Sequence, residues 1–156
     1  MPLREGLISM AQIDVKYTGD MQFVATAPTG HSVVIDASPA VGGKNSGARP
    51  MDLTLMALGG CTGIDVVSML KKMRVNLEQF AMDIAGERAP DHPKIFTKII
   101  VNYRFKTPDD ARDKISRAVH LSQEKYCSVS QMLNKSAVIE VRVFLNDDLV
   151  ETFTHG

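Results

Sequence analysis

The sequence has no tryptophan and few aromatic residues of any kind, 6% of its 156 positions. Proteins that bind single-stranded nucleic acid by base stacking need aromatic side chains, so this scarcity argues against that class. Neither sign of charge dominates, because 18 Lys and Arg residues balance 18 Asp and Glu residues. Such a balance argues against a general nucleic-acid binder and against a protein that binds acidic membranes. We therefore expect neither nucleic acid nor a membrane among the partners.

Cysteine is also scarce, with Cys61 and Cys127 as its two occurrences. The sequence has no C-x-x-C motif, and its four histidines show no ligand spacing with either thiol, so we predict no metal and no cofactor. The first eight residues lack a sustained apolar run and include Glu5, which predicts no signal peptide and a cytoplasmic protein. In that reducing compartment a permanent disulfide is not expected, whereas a transient catalytic one is plausible.

The order of predicted elements indicates an α+β fold, with strands and helices segregated along one domain of residues 1–156. Alternating apolar residues predict that the chain begins with a three-stranded antiparallel meander. The three strands span residues 13–17, 21–26 and 31–36. A loop rich in Gly, Pro and Ser follows over residues 38–50.

A long helix is predicted from about Pro50 to Lys72. Pro50 suits a first helical turn, and the basic residues at the other end complement the helix dipole. The helix is apolar nearly all round, which predicts burial at the centre of the structure. It approaches the length of a membrane span, but Asp65, two threonines, one serine and three glycines interrupt it, which favours a soluble protein.

The second half of the chain is predicted to alternate strands and helices. Two long strands are expected over residues 80–88 and 95–105. Thr107 as the N-cap, followed by Pro108, predicts a helix that lasts to about Lys125. A short helix over residues 127–133 and a strand over residues 137–146 close the chain.

Each cysteine has a structural and a chemical interpretation. Cys61 lies within the long helix, where a free Cys usually behaves as a small buried hydrophobe. The neighbouring Gly59, Gly60 and Gly63 indicate that something packs closely there, or that a ligand has room at the sulfur. Cys127 opens the short helix, where the dipole and free N–H groups would lower its pKa, or it simply faces inward.

Two further arrangements of residues deserve comparison with the cysteine pair. His120 precedes Cys127 by two helical turns, which allows a Cys–His hydrolase, although no oxyanion motif is visible. Arg49 and Asp52 flank Pro50 and are candidates for activating a thiolate. Cys61 lies roughly 14–18 Å further along the helix axis, so such a contact would need a folded-back loop or a second subunit.

The two cysteine segments together resemble those of the OsmC/Ohr family of peroxide-detoxifying thiol proteins. The first segment contains Gly59-Gly60-Cys61-Thr62, and the second reads Tyr126-Cys127-Ser128-Val129-Ser130. The resemblance covers nearly the whole chain and is strongest to the OsmC-like branch. It implies an OsmC-like α+β fold and an intertwined homodimer, with the long helices at its centre and active sites at the subunit interface.

The same resemblance assigns the chemistry. It implies that Cys61 is the peroxidatic thiolate and that Cys127 is the resolving thiol, with a peroxide as substrate and a dithiol as reductant. The family's peroxidases also use a Glu ten positions before the reactive Cys and an Arg from the N-terminal region. Here Met51 takes the Glu position, and no Arg occurs between Arg4 and Arg49.

Two functions follow as hypotheses. The first is a cysteine-based peroxidase that reduces organic hydroperoxides or hydrogen peroxide in oxidative-stress defence, through a Cys61 sulfenic acid and a Cys61–Cys127 disulfide. The second is a non-catalytic dimeric protein of the same fold that binds a small molecule or senses redox state. The absent Glu and Arg favour the second hypothesis, whereas the two cysteine motifs favour the first.

Overall fold

The computed structural model describes residues 10–156, and these form two compact units that meet in sequence at Leu53 and Thr54. The prediction of a single domain therefore stays a prediction. The N-terminal segment that predicts the absence of a signal peptide lies outside the described residues. The strands and helices are segregated along the chain, which confirms the α+β fold class.

The N-terminal unit is built on the predicted antiparallel meander. Its strands are β1 (Asp14–Gly19), β2 (Gln22–Thr26) and β3 (Ser32–Ile35), paired in that order. A 3-10 turn, Pro39–Val41, and a loop follow. The loop is organised by Asp36, whose carboxylate accepts hydrogen bonds from the Ser46 hydroxyl and from three backbone N–H groups. The Ser46 hydroxyl and these N–H groups hold the pKa of Asp36 well below its usual range.

The C-terminal unit holds a mixed four-stranded sheet. Its strands, β4 (Gln79–Arg88), β5 (Phe96–Lys106), β6 (Val138–Leu145) and β7 (Asp148–His155), lie in sequence order. The β5–β6 pair is parallel and the other two pairs are antiparallel. A parallel pair needs a long crossover, which α2 (Arg112–Leu121), a π-helical turn (Ser122–Tyr126) and α3 (Ser128–Leu133) supply.

The core of this unit lies between the sheet and the helices. Strands β5 and β6 turn alternate apolar side chains inward, and α2 contributes an apolar stripe. Fully buried members include Ile99, Val101, Tyr103, Ile115, Val119, Ile139 and Val141. This crossover brings the end of α2 and the start of α3 to the same core as the long helix.

The long helix, α1, spans Pro50–Lys72, as predicted. Its buried residues Leu58, Thr62, Val66 and Leu70 recur every four positions and form one stripe. The prediction of burial on all sides is therefore wrong within a single chain, because nothing in the described chain covers the other faces, where Ile64 is 74% exposed. By length and composition α1 could also cross a membrane, and 22% of its most apolar window is buried.

Two other predictions from sequence need correction. Helix α2 begins at Arg112, so Thr107 is not its N-cap. The Thr107 hydroxyl instead donates to the Asn76 carbonyl at 2.7 Å and accepts from Asp109 N–H at 3.1 Å, which ties this turn to the segment between α1 and β4. The predicted final strand is followed by another, β7, after a tight turn at Asn146 and Asp147.

Candidate active site

Cys61 is half-buried on α1, between two glycines that approach side chains of the sheet. A methyl group added at Gly59 would come within 3.1 Å of Ile84, and one added at Gly63 within 2.9 Å of Met82. The prediction that something packs closely at these glycines is thus confirmed for both, and the neighbours are side chains of β4. Gly60 faces open space.

Cys127 is fully buried at the N-cap position of α3. Its Sγ accepts a hydrogen bond from the Ser130 N–H at 3.4 Å, as an N-cap side chain does. Burial nevertheless raises the pKa of Cys127 to about 12, and the nearby Cys61 and Asp65 act in the same direction. The prediction that the helix terminus lowers the pKa of this thiol is wrong, because loss of hydration outweighs the single N–H contact.

The two thiols lie together in the folded chain. The Sγ atoms of Cys61 and Cys127 and a carboxylate oxygen of Asp65 are all within 4.8 Å of one another. Both cysteines are in the free thiol form. A disulfide needs the two sulfurs at about 2.05 Å, so a small movement of side chains or backbone would join them. The geometry therefore permits exchange between sulfurs.

This cluster also presents donor atoms that suit a metal ion. Thiolate sulfur and carboxylate oxygen are both ligands of Zn²⁺, but a closed structural zinc site uses four such donors. Among the described His, Cys, Asp and Glu side chains, the cluster offers three. The expectation of no metal stays a prediction.

A chain of buried polar side chains runs from Asp65 into the core. Ser122 donates to Asp65 Oδ2 at 3.0 Å, and its Oγ lies 2.7 Å from Thr62 Oγ1. Thr62 Oγ1 is in turn 2.6 Å from Tyr103 Oη, which accepts from Gln123 Nε2 at 2.5 Å. Burial raises the pKa of Tyr103 to about 12. The chain therefore consists of neutral groups that end at one carboxylate.

The same chain continues to the second thiol. The Gln123 side-chain carbonyl accepts from the Ser130 hydroxyl at 2.6 Å. Ser130 is also the residue whose backbone N–H contacts Cys127. Ser122 and Gln123 lie in the π-helical turn, a rare conformation that is often found at functional sites. Polar side chains thus link the surroundings of Asp65 to those of Cys127.

Sequence reasoning did not identify this network. Asp65 could have been identified from the sequence alone. A residue four positions after Cys61 lies on the same helix face, and an acid inside an apolar helix is unusual. Tyr103, Ser122 and Gln123 carried no such signal. Their contacts join residues that are far apart in sequence and depend on the crossover between β5 and β6.

The other predicted residues have the following places. Arg49 and Asp52 belong to the N-terminal unit, where the Arg49 guanidinium donates to Asn45 Oδ1 at 3.2 Å and Asp52 is exposed in the first turn of α1. Their activating role stays a prediction.

His120, the base of the hydrolase alternative, contacts two carboxylates rather than a thiol. Its Nδ1 lies 3.0 Å from Glu124, its Nε2 lies 2.5 Å from Glu151, and its ring stacks on Phe153. Burial alone would lower the pKa of His120, but the two carboxylates raise it. His120 is not part of the described cluster that contains the cysteines. The geometry therefore does not place His120 as the base of a Cys–His hydrolase.

Two cavities lie along α1 in the C-terminal unit. One of about 490 Å³ has Asp65 in its wall, with Ile64, Met69, Leu121 and Tyr126 among its apolar neighbours. The other, of about 710 Å³, lies over Gly59, Gly60 and Gly63 beside Phe80 and Met82. Both have the size of a site for a small organic molecule.

Known proteins are similar to this chain in sequence or in fold. The family pattern described as OsmC-like protein matches residues 43–142. Protein YhfA of Escherichia coli K12 is 38% identical over 132 residues, which cover 82% of this chain and 92% of YhfA. A hypothetical protein from Aquifex aeolicus has a TM-score of 0.77 at 26% identity, covering 89% of this chain and 98% of its own. The organic hydroperoxide resistance protein OsmC of Legionella pneumophila has a TM-score of 0.66 at 12% identity, with 88% and 98% covered.

Proposed function

This chain belongs to the OsmC-like protein family, and on that premise we propose that it is a cysteine-based peroxidase of oxidative-stress defence. The observation that carries the proposal is the cluster of two free thiols and one carboxylate within 4.8 Å. A protein that uses one sulfur as nucleophile and another to resolve the product needs this proximity. The family's link to hydroperoxides supports the substrate class.

The proposed reaction has three steps. The Cys61 thiolate attacks the distal oxygen of a hydroperoxide, the O–O bond breaks, and an alcohol leaves with Cys61 as sulfenic acid. Cys127 then attacks the oxidised sulfur, which forms the Cys61–Cys127 disulfide and releases water. A dithiol reductant from the cell exchanges with this disulfide and returns both thiols. No metal or organic cofactor enters these steps.

Burial supports this division of roles between the two cysteines. Cys61 is partly accessible and Cys127 is fully buried, so a peroxide in solution reaches Cys61 more readily. The apolar cavity that borders Asp65 suits the carbon body of an organic hydroperoxide. The Legionella pneumophila protein of this fold is named for organic hydroperoxide resistance, which agrees with that substrate class.

The activating residues of this peroxidase differ from the family pattern. Met51 stands where the family's peroxidases carry Glu. We propose Arg49 and Asp52, on either side of Pro50, as partial replacements, brought to the thiolate by a second subunit. Replacing Arg49 with Ala would then slow the first step. An unchanged rate of Cys61 oxidation in Arg49→Ala would remove Arg49 from the site.

Intact-mass spectrometry after one equivalent of cumene hydroperoxide tests the peroxidase proposal. The wild type is expected to lose two protons to an internal disulfide. Cys127→Ser is expected to stop at sulfenic acid on Cys61, and Cys61→Ser to leave the peroxide unconsumed, because the buried thiol is the poorer nucleophile. Neither thiol reacting faster than free cysteine would overturn the proposal.

If neither thiol reacts faster than free cysteine, the result would favour a non-catalytic protein that binds a small molecule or senses redox state. The absence of Glu at Met51 supports this alternative, since it removes one expected activating residue. Stoichiometric oxidation without recycling would support this alternative. Repeated consumption of peroxide with a dithiol present would exclude the alternative.

We also propose that the chain is a homodimer in which α1 is covered by the second copy. The helix leaves Met56 58% exposed and Ile64 74% exposed, although it is apolar on these faces. A soluble protein gains roughly 25 cal/mol for each Å² of such surface that it buries. Because Cys61 lies on this helix, the second copy would also complete the site, in the cytoplasm and away from any membrane.

Sedimentation equilibrium tests the dimer. The wild type is expected to sediment as a dimer, and Ile64→Lys is expected to shift the equilibrium towards monomer, because a buried ammonium group without a partner is strongly unfavourable. Leu149→Lys is the matched control, since Leu149 is 55% exposed on β7 and far from α1 in sequence. A monomeric wild type, or equal dissociation in both variants, would contradict the proposal.

A further inference from the structure

In the hydrogen-bond network that ends at Asp65, all donors point the same way along the chain of side chains. Ser122 donates its hydroxyl hydrogen to Asp65, so it must accept from Thr62 at 2.7 Å. Thr62 has then used its own hydrogen and must accept from Tyr103 at 2.6 Å. Tyr103 Oη in turn accepts from the Gln123 amide. Every member donates towards Asp65, because each hydroxyl has one hydrogen.

This direction fixes the position of the Asp65 carboxyl group. Successive donors polarise one another, so a chain of three hydroxyls and an amide holds the carboxyl group at its end more firmly than the last donor alone would. Burial keeps Tyr103 a neutral donor, since its pKa is about 12. The Asp65 carboxyl group therefore keeps its position as long as Ser122 remains its hydrogen-bond partner.

The carboxylate lies beside both sulfurs. One oxygen of Asp65 is within 4.8 Å of the Sγ atoms of Cys61 and Cys127. Among the described His, Cys, Asp and Glu side chains, Asp65 is the one base placed in this way. Cys127 is fully buried and is held as the thiol, with its pKa raised to about 12. A thiol of that kind attacks slowly unless a neighbouring group removes its proton.

We propose that Asp65 carries the proton of the resolving step, from the Cys127 thiol to the hydroxide that leaves Cys61. This inference rests on the proposed peroxidase function. The Cys127 sulfur attacks the sulfenic sulfur, an S–S bond forms and the S–O bond breaks. The Cys127 sulfur is oxidised and the sulfenic sulfur is reduced, so no further oxidant enters. Asp65 delivers the proton, the oxygen leaves as water, and the carboxylate is regenerated.

Rapid-mixing kinetics with Asp65→Asn test the proposal. The protein is mixed with one equivalent of cumene hydroperoxide and quenched, and mass spectrometry follows the sulfenic acid, trapped with dimedone, and the disulfide. In Asp65→Asn we expect the sulfenic acid to form within a few-fold of the wild-type rate. Disulfide formation is expected to slow by roughly 100-fold, the effect of losing a general acid–base group.

The pH dependence of disulfide formation separates proton transfer from a structural role. Without Asp65, solvent hydroxide must remove the Cys127 proton, so the rate in Asp65→Asn should rise about tenfold for each pH unit between pH 7 and pH 9. The wild-type rate should change much less over this interval. Ser122→Ala is the second variant, because it keeps the carboxylate and removes its donor, and it should fall between the two.

Each outcome decides between the two proposals. Sulfenic acid that accumulates in Asp65→Asn, with the steep pH dependence, supports the proton transfer. Disulfide formation at the wild-type rate in Asp65→Asn overturns it, and so does an equal slowing of both steps, which would indicate a structural role. If wild-type Cys61 forms no sulfenic acid at all, the peroxidase function fails first, and the inference fails with it.

Discussion

Cys127 is expected to react with iodoacetamide about 1000-fold more slowly in the folded protein than an ordinary thiol does, because the thiolate is the reactive form. Its pKa is raised from 9.0 to about 12, chiefly by burial, so the thiolate fraction near neutral pH falls by three decades. Full burial adds a steric barrier on top of this effect. Peptide mass spectrometry over a time course measures the rate, with half-buried Cys61 as the internal reference.

The same thiol should make the fold sensitive to alkali. Because the pKa of Cys127 is higher in the folded state than in the unfolded state, its stabilising contribution is complete below about pH 9 and is lost as the pH rises towards 12. The free energy of unfolding should then fall by about 1.4 kcal/mol for each pH unit in this window. Tyr103 adds a similar dependence between about pH 10 and pH 12, because burial raises its pKa from 10.0 to about 12.

Urea unfolding at several pH values isolates the contribution of Cys127. Cys127→Ser removes the titrating thiol at nearly constant size, so the stability of the wild type should fall more steeply than that of the variant between pH 9 and pH 12. The difference between wild type and variant also cancels the titration of the lysines. Parallel curves for the two proteins, or equal labelling of both cysteines in the native state, would show that Cys127 is not held as the thiol.

The elements with local signals were predicted from sequence with good accuracy. Helix α1 begins at Pro50 and ends at Lys72, as predicted, because both end signals lie within the helix itself. The start of α2 was wrong for the opposite reason. The Thr107 hydroxyl has a partner at Asn76, on a distant segment, and tertiary contact displaced the capping role that the local pattern suggested.

The last strand was missed although its signal is local. Asn146 and Asp147 both adopt positive φ, at 49° and 72°, and form the tight turn that reverses the chain between β6 and β7. Asn and Asp tolerate this conformation better than other residues with side chains, so an adjacent pair is a hairpin signal. This pair therefore predicts a hairpin, and with it the strand β7 that follows.

In the candidate site, too, features with a local sequence signal were predictable and features that depend on tertiary contacts were not. Cys61 and Cys127 were identified from their motifs, but the direction of the Cys127 pKa shift was not, since it follows from burial that no local pattern reveals. Asp65 could have been identified from its helical spacing to Cys61. Its partner Ser122 lies 57 positions away in sequence, and the contact exists because the π-helical turn packs against α1.

Thr62→Val is expected to destabilise the fold by about 3 kcal/mol, because two buried groups lose a partner and each such loss costs roughly 1–3 kcal/mol. Valine has nearly the shape of threonine but no hydroxyl. The Tyr103 hydroxyl then has no acceptor at Thr62, and Ser122 Oγ loses a donor. All three residues are fully buried, so water does not readily replace the lost contacts.

Chemical denaturation of three variants checks this result. Thr62→Ser is the matched control, since it keeps the hydroxyl and loses one buried methyl group, at about 1 kcal/mol. Tyr103→Phe removes the next member of the chain, so the double variant Thr62→Val with Tyr103→Phe should be less destabilised than the sum of the single ones. If Thr62→Val costs no more than Thr62→Ser, or if the two single effects simply add, the directed network does not stabilise this fold. Asp65 would then lack the donors that hold it in position, because the hydrogen bonds that reach it from the core all pass through Thr62 and Ser122.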